Sequence, residues 1–388
     1  MLYKVSKKVI LVLLLWIPIL SNAQDARDNE GLKFNETLNW QQLKAKAKAD
    51  NKYIFIDCYA SWCGPCKMMD QEVFSSHMVA AKVNNSFISA RCRMDIEASD
   101  TDQSGLNAAD AEYFKSEFKV VNLPTYLFFS ADGKLVHRDE GYKNTGQFIA
   151  LLNDATDENF QIYTLLDRYL RKDISGRKTI YLAKSFQLFD PKMADSIAMD
   201  YYANTISKQD SSNFYTRENI DFISTFPSLI NGKQEIINFF RHQAPRIDSI
   251  IGSAGYSRVT LKTAIMEFAI KPYVLAASSQ GRDPEWGRIF EAVKRRYGNE
   301  CAMSSLLEAE VTWSKDNKKW KQYVYYLKRQ VEYTKAPNID PLDLNDMAWN
   351  VFLYSTDRDQ LKMALSWVEN SLTRVKKLPC IEMDTKAN

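Results

Sequence analysis

A strand that ends abruptly and a helix that opens on two cysteines, both within residues 53–67, confine this chain more than any other feature. Tyr53-Ile54-Phe55-Ile56-Asp57-Cys58-Tyr59 has the β-branched and aromatic density of a buried strand. Trp62-Cys63-Gly64-Pro65-Cys66-Lys67 follows it, with a short helix predicted to begin near Gly64. Two cysteines separated by two residues at such a place can close a small disulfide while the first sulfur faces solvent. The helix N-terminus presents unpaired amide groups and the positive end of its dipole, which favour the Cys63 thiolate over the thiol. Cys66, one turn deeper, is placed to resolve a mixed disulfide.

The flanking sequence supplies the partners such a unit needs. Trp40-Gln41-Gln42-Leu43-Lys44-Ala45-Lys46-Ala47 is a helix-forming run. Further strands are predicted over residues 87–94, 125–129 and 135–139, with Asp132-Gly133 as a tight hairpin turn between the last two. Helices fit residues 107–118 and 145–152. Strands alternating with helices and closing on a hairpin give an α/β sandwich, a central mixed sheet flanked by helices, over residues 35–154. After residue 154 the pattern changes. Segments 160–170, 179–189, 259–276, 286–297 and 320–333 carry apolar residues at helical spacing without strand-like alternation, so residues 155–388 are expected to be an all-α domain of helical hairpins. Near its end, Ala364-Leu365-Ser366-Trp367-Val368-Glu369-Asn370-Ser371-Leu372 resembles the second helix of a tetratricopeptide repeat, with Ala364 and Ser371 at the small-residue positions. Asp384-Thr385-Lys386-Ala387-Asn388 then looks like the start of another repeat, which suggests a truncated C-terminus.

Length and charge narrow the class. The chain has 388 residues, 45% hydrophobic and 26% charged, as expected of an ordered globular protein with two or three domains. Fifty-one Lys and Arg stand against 48 Asp and Glu, a formal charge of +3, so there is no basic field to hold a nucleic-acid backbone. Six cysteines are too few for a disulfide-stapled scaffold, and any cysteine chemistry should be local. Lys4, Lys7 and Lys8 precede an apolar run from Val9 to Leu20, and Ser21-Asn22-Ala23 follows with small residues spaced for cleavage before Gln24. Residues 1–23 therefore read as a signal peptide rather than an anchor, because the run is about 12 residues where a span needs roughly 20. These residues hold three lysines and no acid, so cleavage takes the formal charge from +3 to 0. The expectation is a soluble exported protein, periplasmic if the source is a Gram-negative bacterium.

The segment from Phe55 to Lys67, read with Pro124, resembles the active-site segment of the thioredoxin family. The resemblance covers residues 35–154 and implies a thioredoxin-like fold there. It implies Cys63 as attacking thiol, Cys66 as resolving thiol and Asp57, six residues before Cys63, as the buried carboxylate that relays the Cys66 proton. Pro124, in Asn122-Leu123-Pro124-Thr125-Tyr126, falls where the family has a cis-proline facing the disulfide. Leu123 would then pair backbone to backbone with an extended substrate segment. Gly141 matches the glycine ending the last strand near the same surface, and Trp62 flanks the substrate side. Gly64, Pro65 and Lys67 complete the active-site turn. Arg91 stands where the family usually has a lysine beside the buried acid, and its permanent charge is expected to hold Asp57 ionised more firmly. The loop over residues 95–110 is longer than in compact thioredoxins.

Plainer readings of the same residues compete with these. A CxxC pair can be half of a zinc site, but neither a second CxxC nor a suitably spaced pair among His77, His137 and His242 supplies the other ligands, so no metal is expected. A purely structural disulfide is disfavoured by the Gly-Pro insert together with Asp57 and Pro124. Asp100-Thr101-Asp102-Gln103-Ser104-Gly105 opens like a calcium loop but has Ala111 at the twelfth position, with Glu112 one residue late, and reads as a solvated acidic loop. Cys58 and Cys92 lie on strands predicted to be neighbours, pointing to one face, and read as small core residues. Cys301 and Cys380 have no acid, base or partner at useful spacing.

The expected function is an exported thiol-disulfide oxidoreductase acting on protein disulfides, with no cofactor beyond the Cys63–Cys66 pair. The Gly-Pro insert resembles the reducing members of the family, since oxidants and isomerases usually carry a histidine before the second cysteine. An exported reductase needs an electron donor, and a membrane electron-transfer protein is the implied partner. The alternative is a peptide- or protein-binding module in which the helical part carries the function and a protein partner, with the redox domain as scaffold.

Overall fold

A computed structural model describes residues 31–96 and 105–375. The signal-peptide segment 1–23, the calcium-like positions 100–104, Cys380 and the repeat-like tail 384–388 lie outside the described residues.

Four strands form one mixed sheet in the order β2-β1-β3-β4. They are β1 (Tyr53–Tyr59), β2 (Phe87–Arg93), β3 (Thr125–Phe129) and β4 (Leu135–Glu140), within one or two residues of the predicted bounds. β1 pairs parallel with β2, which places Asp57 opposite Arg91 and Cys58 opposite Cys92. It pairs antiparallel with β3, and β3 antiparallel with β4. Because β1 is interior and covered on both faces, it reads as an apolar run interrupted by Asp57 rather than an alternating one.

The two faces hold separate cores. Ile54, Ile56, Cys58, Cys92, Leu127 and Phe129 point to one, under helix α1 (Trp40–Asp50) and the helix that begins at Ala108. Phe55, Tyr126 and Phe128 point to the other, with Met69, Val73 and Phe148. Phe55 stacks on Phe128 at 5.1 Å between ring centroids, and replacing it by Ala is expected to cost about 3–5 kcal/mol.

Helix α2 (Gly64–Met68) follows β1 directly and runs into a π-helical turn, Met69–Phe74. Helices α3 (His77–Ser86), α4 (Ala108–Phe118) and α5 (Thr145–Thr156) complete the sandwich. Asn107 caps α4, its side chain accepting from the Ala109 and Asp110 amides. The hairpin between β3 and β4 turns through Ser130 and Lys134, with Gly133 at φ +80°, a conformation that favours glycine.

The compact unit holding the sheet ends at Ile197, and a second begins at Ala198. Helices α6 (Ile162–Leu170), α7 (Arg177–Phe186) and the first half of α8 (Pro191–Asn204) thus belong with the sheet. Helix α6 packs on β4, the outermost strand. The Ile162 amide donates to Nδ1 of buried His137 at 3.2 Å, and Lys134 pairs with Asp167. Helix α6 thus covers β4 through side-chain contacts. Burial keeps the His137 imidazole neutral, with its pKa pushed down to about 3.

The second unit, among its described residues, is helical throughout. Trp286–Tyr297, Asn299–Asp316, Trp320–Thr334, Pro341–Tyr354 and Arg358–Arg374 each pack on the next, as hairpins. Ala364 and Ser371 are buried, and the Ser371 hydroxyl donates to the Pro341 carbonyl at 2.7 Å. The helix predicted over 259–276 is interrupted. It runs as Tyr256–Ile265, a π-turn Met266–Ile270, and Lys271–Ser279, because Pro272 has no amide to continue the ladder. No described helix is long and apolar enough to cross a membrane.

Candidate active site

β1 ends at Tyr59, Ala60 and Ser61 carry the chain over the sheet edge, and Cys63 becomes the N-cap residue of α2. The Ser61 amide and hydroxyl both donate to Asp95, which ties this turn to the end of β2. Pro65 occupies the first turn, where its missing N–H removes nothing from the helix. Cys63 and Cys66 are joined as a disulfide with Cα atoms 5.3 Å apart, and the Cys63 sulfur accepts the Cys66 amide at 3.2 Å. The cap that a Ser or Asp oxygen ordinarily supplies is here a sulfur, so the amides that stabilise the helix start also face any charge on Cys63.

One expectation is corrected. Cys63 does not present its sulfur openly to solvent; it is 2% exposed, as is Cys66. Its sulfur turns into the helix end, and the pair packs with Ala60, Tyr59 and Leu123. Trp62, 73% exposed, stands at the surface beside it. A side chain at Gly64 would meet nothing within 4 Å, so the turn between the cysteines is bounded by open space. Lys67 is exposed in the last turn of α2.

Leu123–Pro124 is cis, and Leu123 lies against the cysteine cluster. The Gly141 amide donates to the Pro124 carbonyl at 2.8 Å, and the Tyr126 hydroxyl to the Gly141 carbonyl at 3.2 Å. Gly141 itself has φ +82° and open space where a side chain would be. Cys63, Cys66, Leu123, Pro124 and Gly141 are therefore linked into one surface by packing and hydrogen bonds.

Asp57, 2% exposed, forms a second cluster. Arg91 Nε donates to Asp57 Oδ2 at 3.0 Å, while Nη2 reaches Asp70 Oδ1 at 3.0 Å. The guanidinium carbon lies 4.1 Å over the Tyr59 ring. Burial pushes Asp57 up to about 6, with Arg91 opposing and Asp70 assisting. Arg91 pulls the Asp57 pKa down, but desolvation outweighs the guanidinium, which is divided between two carboxylates. Burial works against the Arg91 charge as well, yet Asp57 and Asp70 together raise its pKa above the usual value. Asp70 is the member that sequence reasoning missed. It stands on the π-turn after α2, and no linear spacing announces where such a turn aims a side chain.

Cys58 and Cys92 are free and buried. Burial raises the Cys58 thiol well above its ordinary range and pushes Cys92 up to about 12, so neither offers a thiolate at neutral pH. Among the described residues no group of three His, Cys, Asp or Glu side chains could hold a metal ion.

Comparison with known proteins finds the thioredoxin-like domain over residues 40–156. The thiol:disulfide interchange protein DsbD of Yersinia pestis (strain Pestoides F) is 31% identical over 127 residues, 32% of this chain and 20% of its own. Thioredoxin H2 of Arabidopsis thaliana is 30% identical over 112 residues, 29% of this chain and 70% of its own. A thioredoxin structure from Thermus thermophilus is 17% identical with a TM-score of 0.28, covering 33% of this chain and 90% of that one. The chain spans about a fifth of the length of the DsbD proteins it matches.

Proposed function

The chain belongs to the thioredoxin family through residues 40–156, and from that premise we propose that it is a thiol-disulfide oxidoreductase that reduces protein disulfides. The observation that carries the reading is the Cys63–Cys66 disulfide at a helix N-terminus, packed against the residue that precedes a cis-proline. In the dithiol form, the Cys63 thiolate attacks one sulfur of a substrate disulfide. The substrate S–S bond breaks, its other sulfur leaves as a thiolate and takes a proton, and Cys63 is left in a mixed disulfide. Cys66 gives its proton to Asp57 and attacks Cys63, closing the protein disulfide and expelling the second substrate thiolate, which is protonated in turn. Two electrons pass from the protein dithiol to the substrate. Leu123 offers its backbone to an extended substrate segment, and Trp62 and Gly141 border that segment.

The Gly-Pro insert favours the reducing direction, and the N-terminal run of residues 1–23 favours export, into a periplasm if the source is Gram-negative. A reductase there draws its two electrons from the dithiol of a membrane electron-transfer protein. Reduction of insulin by the intact chain, recycled with dithiothreitol, tests the activity: equal rates for wild type and Cys63→Ser end the reading. Equilibration with glutathione tests direction. A potential near about −270 mV supports a reductant and one near about −120 mV an oxidant.

A further inference from the structure

Arg138 lies on β4, far from the cysteines in sequence, and its side chain is 3% exposed. Its guanidinium reaches three places. Nη1 donates to the carbonyl of Phe118 at 2.7 Å, at the last residue of α4. Nη2 lies 3.4 Å from Glu140 Oε2, and the other oxygen of that carboxylate accepts from Asn122 Nδ2 at 2.9 Å. The guanidinium carbon lies 4.3 Å from the centre of the Phe189 ring, just past α7, and that ring in turn lies 6.5 Å from the ring of Tyr163 of α6. Phe118 and Asn122 bracket the loop that leads into Leu123 and cis-Pro124. One arginine therefore clamps both ends of that loop and sits on the helices that follow the sheet.

We propose that Arg138 is a positioning residue through which helices α6 and α7 set the loop of residues 119–123 for docking of the protein substrate, an inference that rests on the reductase reading above. A buried ion pair of this kind adds little net stability, because desolvation of both charges offsets their attraction; what it fixes is geometry. The planar guanidinium suits that task, with its donors in a rigid fork and a face that stacks on an aromatic ring. Glu140 stands directly before Gly141 and opposite Thr125 in the β3–β4 register, so the same carboxylate aligns both walls of the docking surface. Thr125 reinforces the loop from within, its hydroxyl donating to the Asn122 carbonyl at 2.6 Å.

The test uses the full chain with Phe189→Leu, which touches Arg138 but not the loop, and Asn122→Ala, which releases the loop but not the helices. With insulin as protein substrate, each is expected to raise KM by about 3- to 10-fold, the loss of one charge-assisted contact. With β-hydroxyethyl disulfide, too small to use the docking surface, kcat/KM stays within about twofold of wild type. The double variant should be no worse than the worse single one, because both changes cut the same link. Arg138→Lys, which keeps the charge and loses the fork, should fall between. Amide hydrogen exchange at residues 121–123 reads the link without turnover, and Phe189→Leu should accelerate it by about 3- to 10-fold. Unchanged exchange in Phe189→Leu overturns the proposal, as does an unchanged insulin KM or multiplying effects in the double variant. Absence of insulin reduction by wild type defeats the reductase reading instead, and leaves the exchange measurement to decide the link.

Discussion

Two pairs of cysteines lie within a few residues of each other in this fold and have opposite chemistry. Cys63 and Cys66 are three apart on one helical turn; Cys58 and Cys92 are 34 apart and face each other across β1 and β2. Burial does not separate the pairs, since the first is 2% exposed and the second 0%. Surroundings do. Around Cys63 are the amides of a helix start, open space at Gly64 and Leu123 before the cis-proline. Around Cys58 and Cys92 are Trp40, Leu43, Ile56 and Phe114, which offer a thiolate nothing. Proximity of two sulfurs is therefore not a redox site; a donor for the charge and a path for the partner sulfur make it one.

The largest effect expected from this contrast is on turnover. Cys63→Ser should lower insulin reduction by at least about a thousandfold, while Cys58→Ala stays within about twofold of wild type. Comparable losses in the two variants would erase the distinction. Brief iodoacetamide treatment of the reduced protein, followed by mass mapping, should find Cys63 modified first and Cys58 and Cys92 untouched until the chain unfolds.

Asp57 sharpens the comparison next, because it sits beside Cys58 in β1 yet is the proposed proton relay of the other pair. Asp57→Asn should slow resolution of a Cys63–substrate mixed disulfide by at least about tenfold at pH 7.5, read as accumulation of that species. Its pH signature is set by a folded pKa pushed up to about 6 from the ordinary 3.8. The folded state then holds the proton more tightly than the unfolded one. The stability this group contributes is complete below about pH 4 and is lost as pH rises through about 6, about 3 kcal/mol in all. Asp57→Asn should accordingly match wild type in urea unfolding at pH 4 and exceed it at pH 7.5, and Arg91 keeps Asp70 as a partner in the variant. A variant less stable than wild type at pH 7.5 would mean that the ion pair, not desolvation, dominates. The smallest effect belongs to Cys92→Ala, about 1 kcal/mol lost from the core, with the reduction potential unchanged. A shifted potential would show that the pairs communicate.

Much of this contrast was legible in the residues. β1 announces itself as a run of apolar residues around Asp57 because it is covered on both faces, and α2 through the Gly-Pro turn between the cysteines. The pairing of Cys58 with Cys92 followed from placing two strands side by side. Asp70 was not legible: it meets Arg91 only because a π-turn inserts an extra residue in the first turn after α2. Nor was the attachment of α6 and α7 to the sheet, since helical spacing reports a period and not which strand receives the apolar face. The clues were two polar residues in β4, His137 and Arg138, whose partners lie at Phe118 and beyond residue 160, outside the reach of any local pattern.

The cover that α6 lays over β4 has a practical consequence for anyone who borrows this redox unit. A fragment cut at residue 156, where the family likeness stops, would expose the side chains of β4 that α6 covers and an imidazole stripped of its amide partner. Such a fragment is expected to self-associate on gel filtration through the newly exposed surface of β4. One carried on to Ile197 keeps its shield and should elute as a monomer. Grafted into a chimera or displayed on another scaffold, the catalytic sandwich travels safely only with the helices that lie beyond the family likeness.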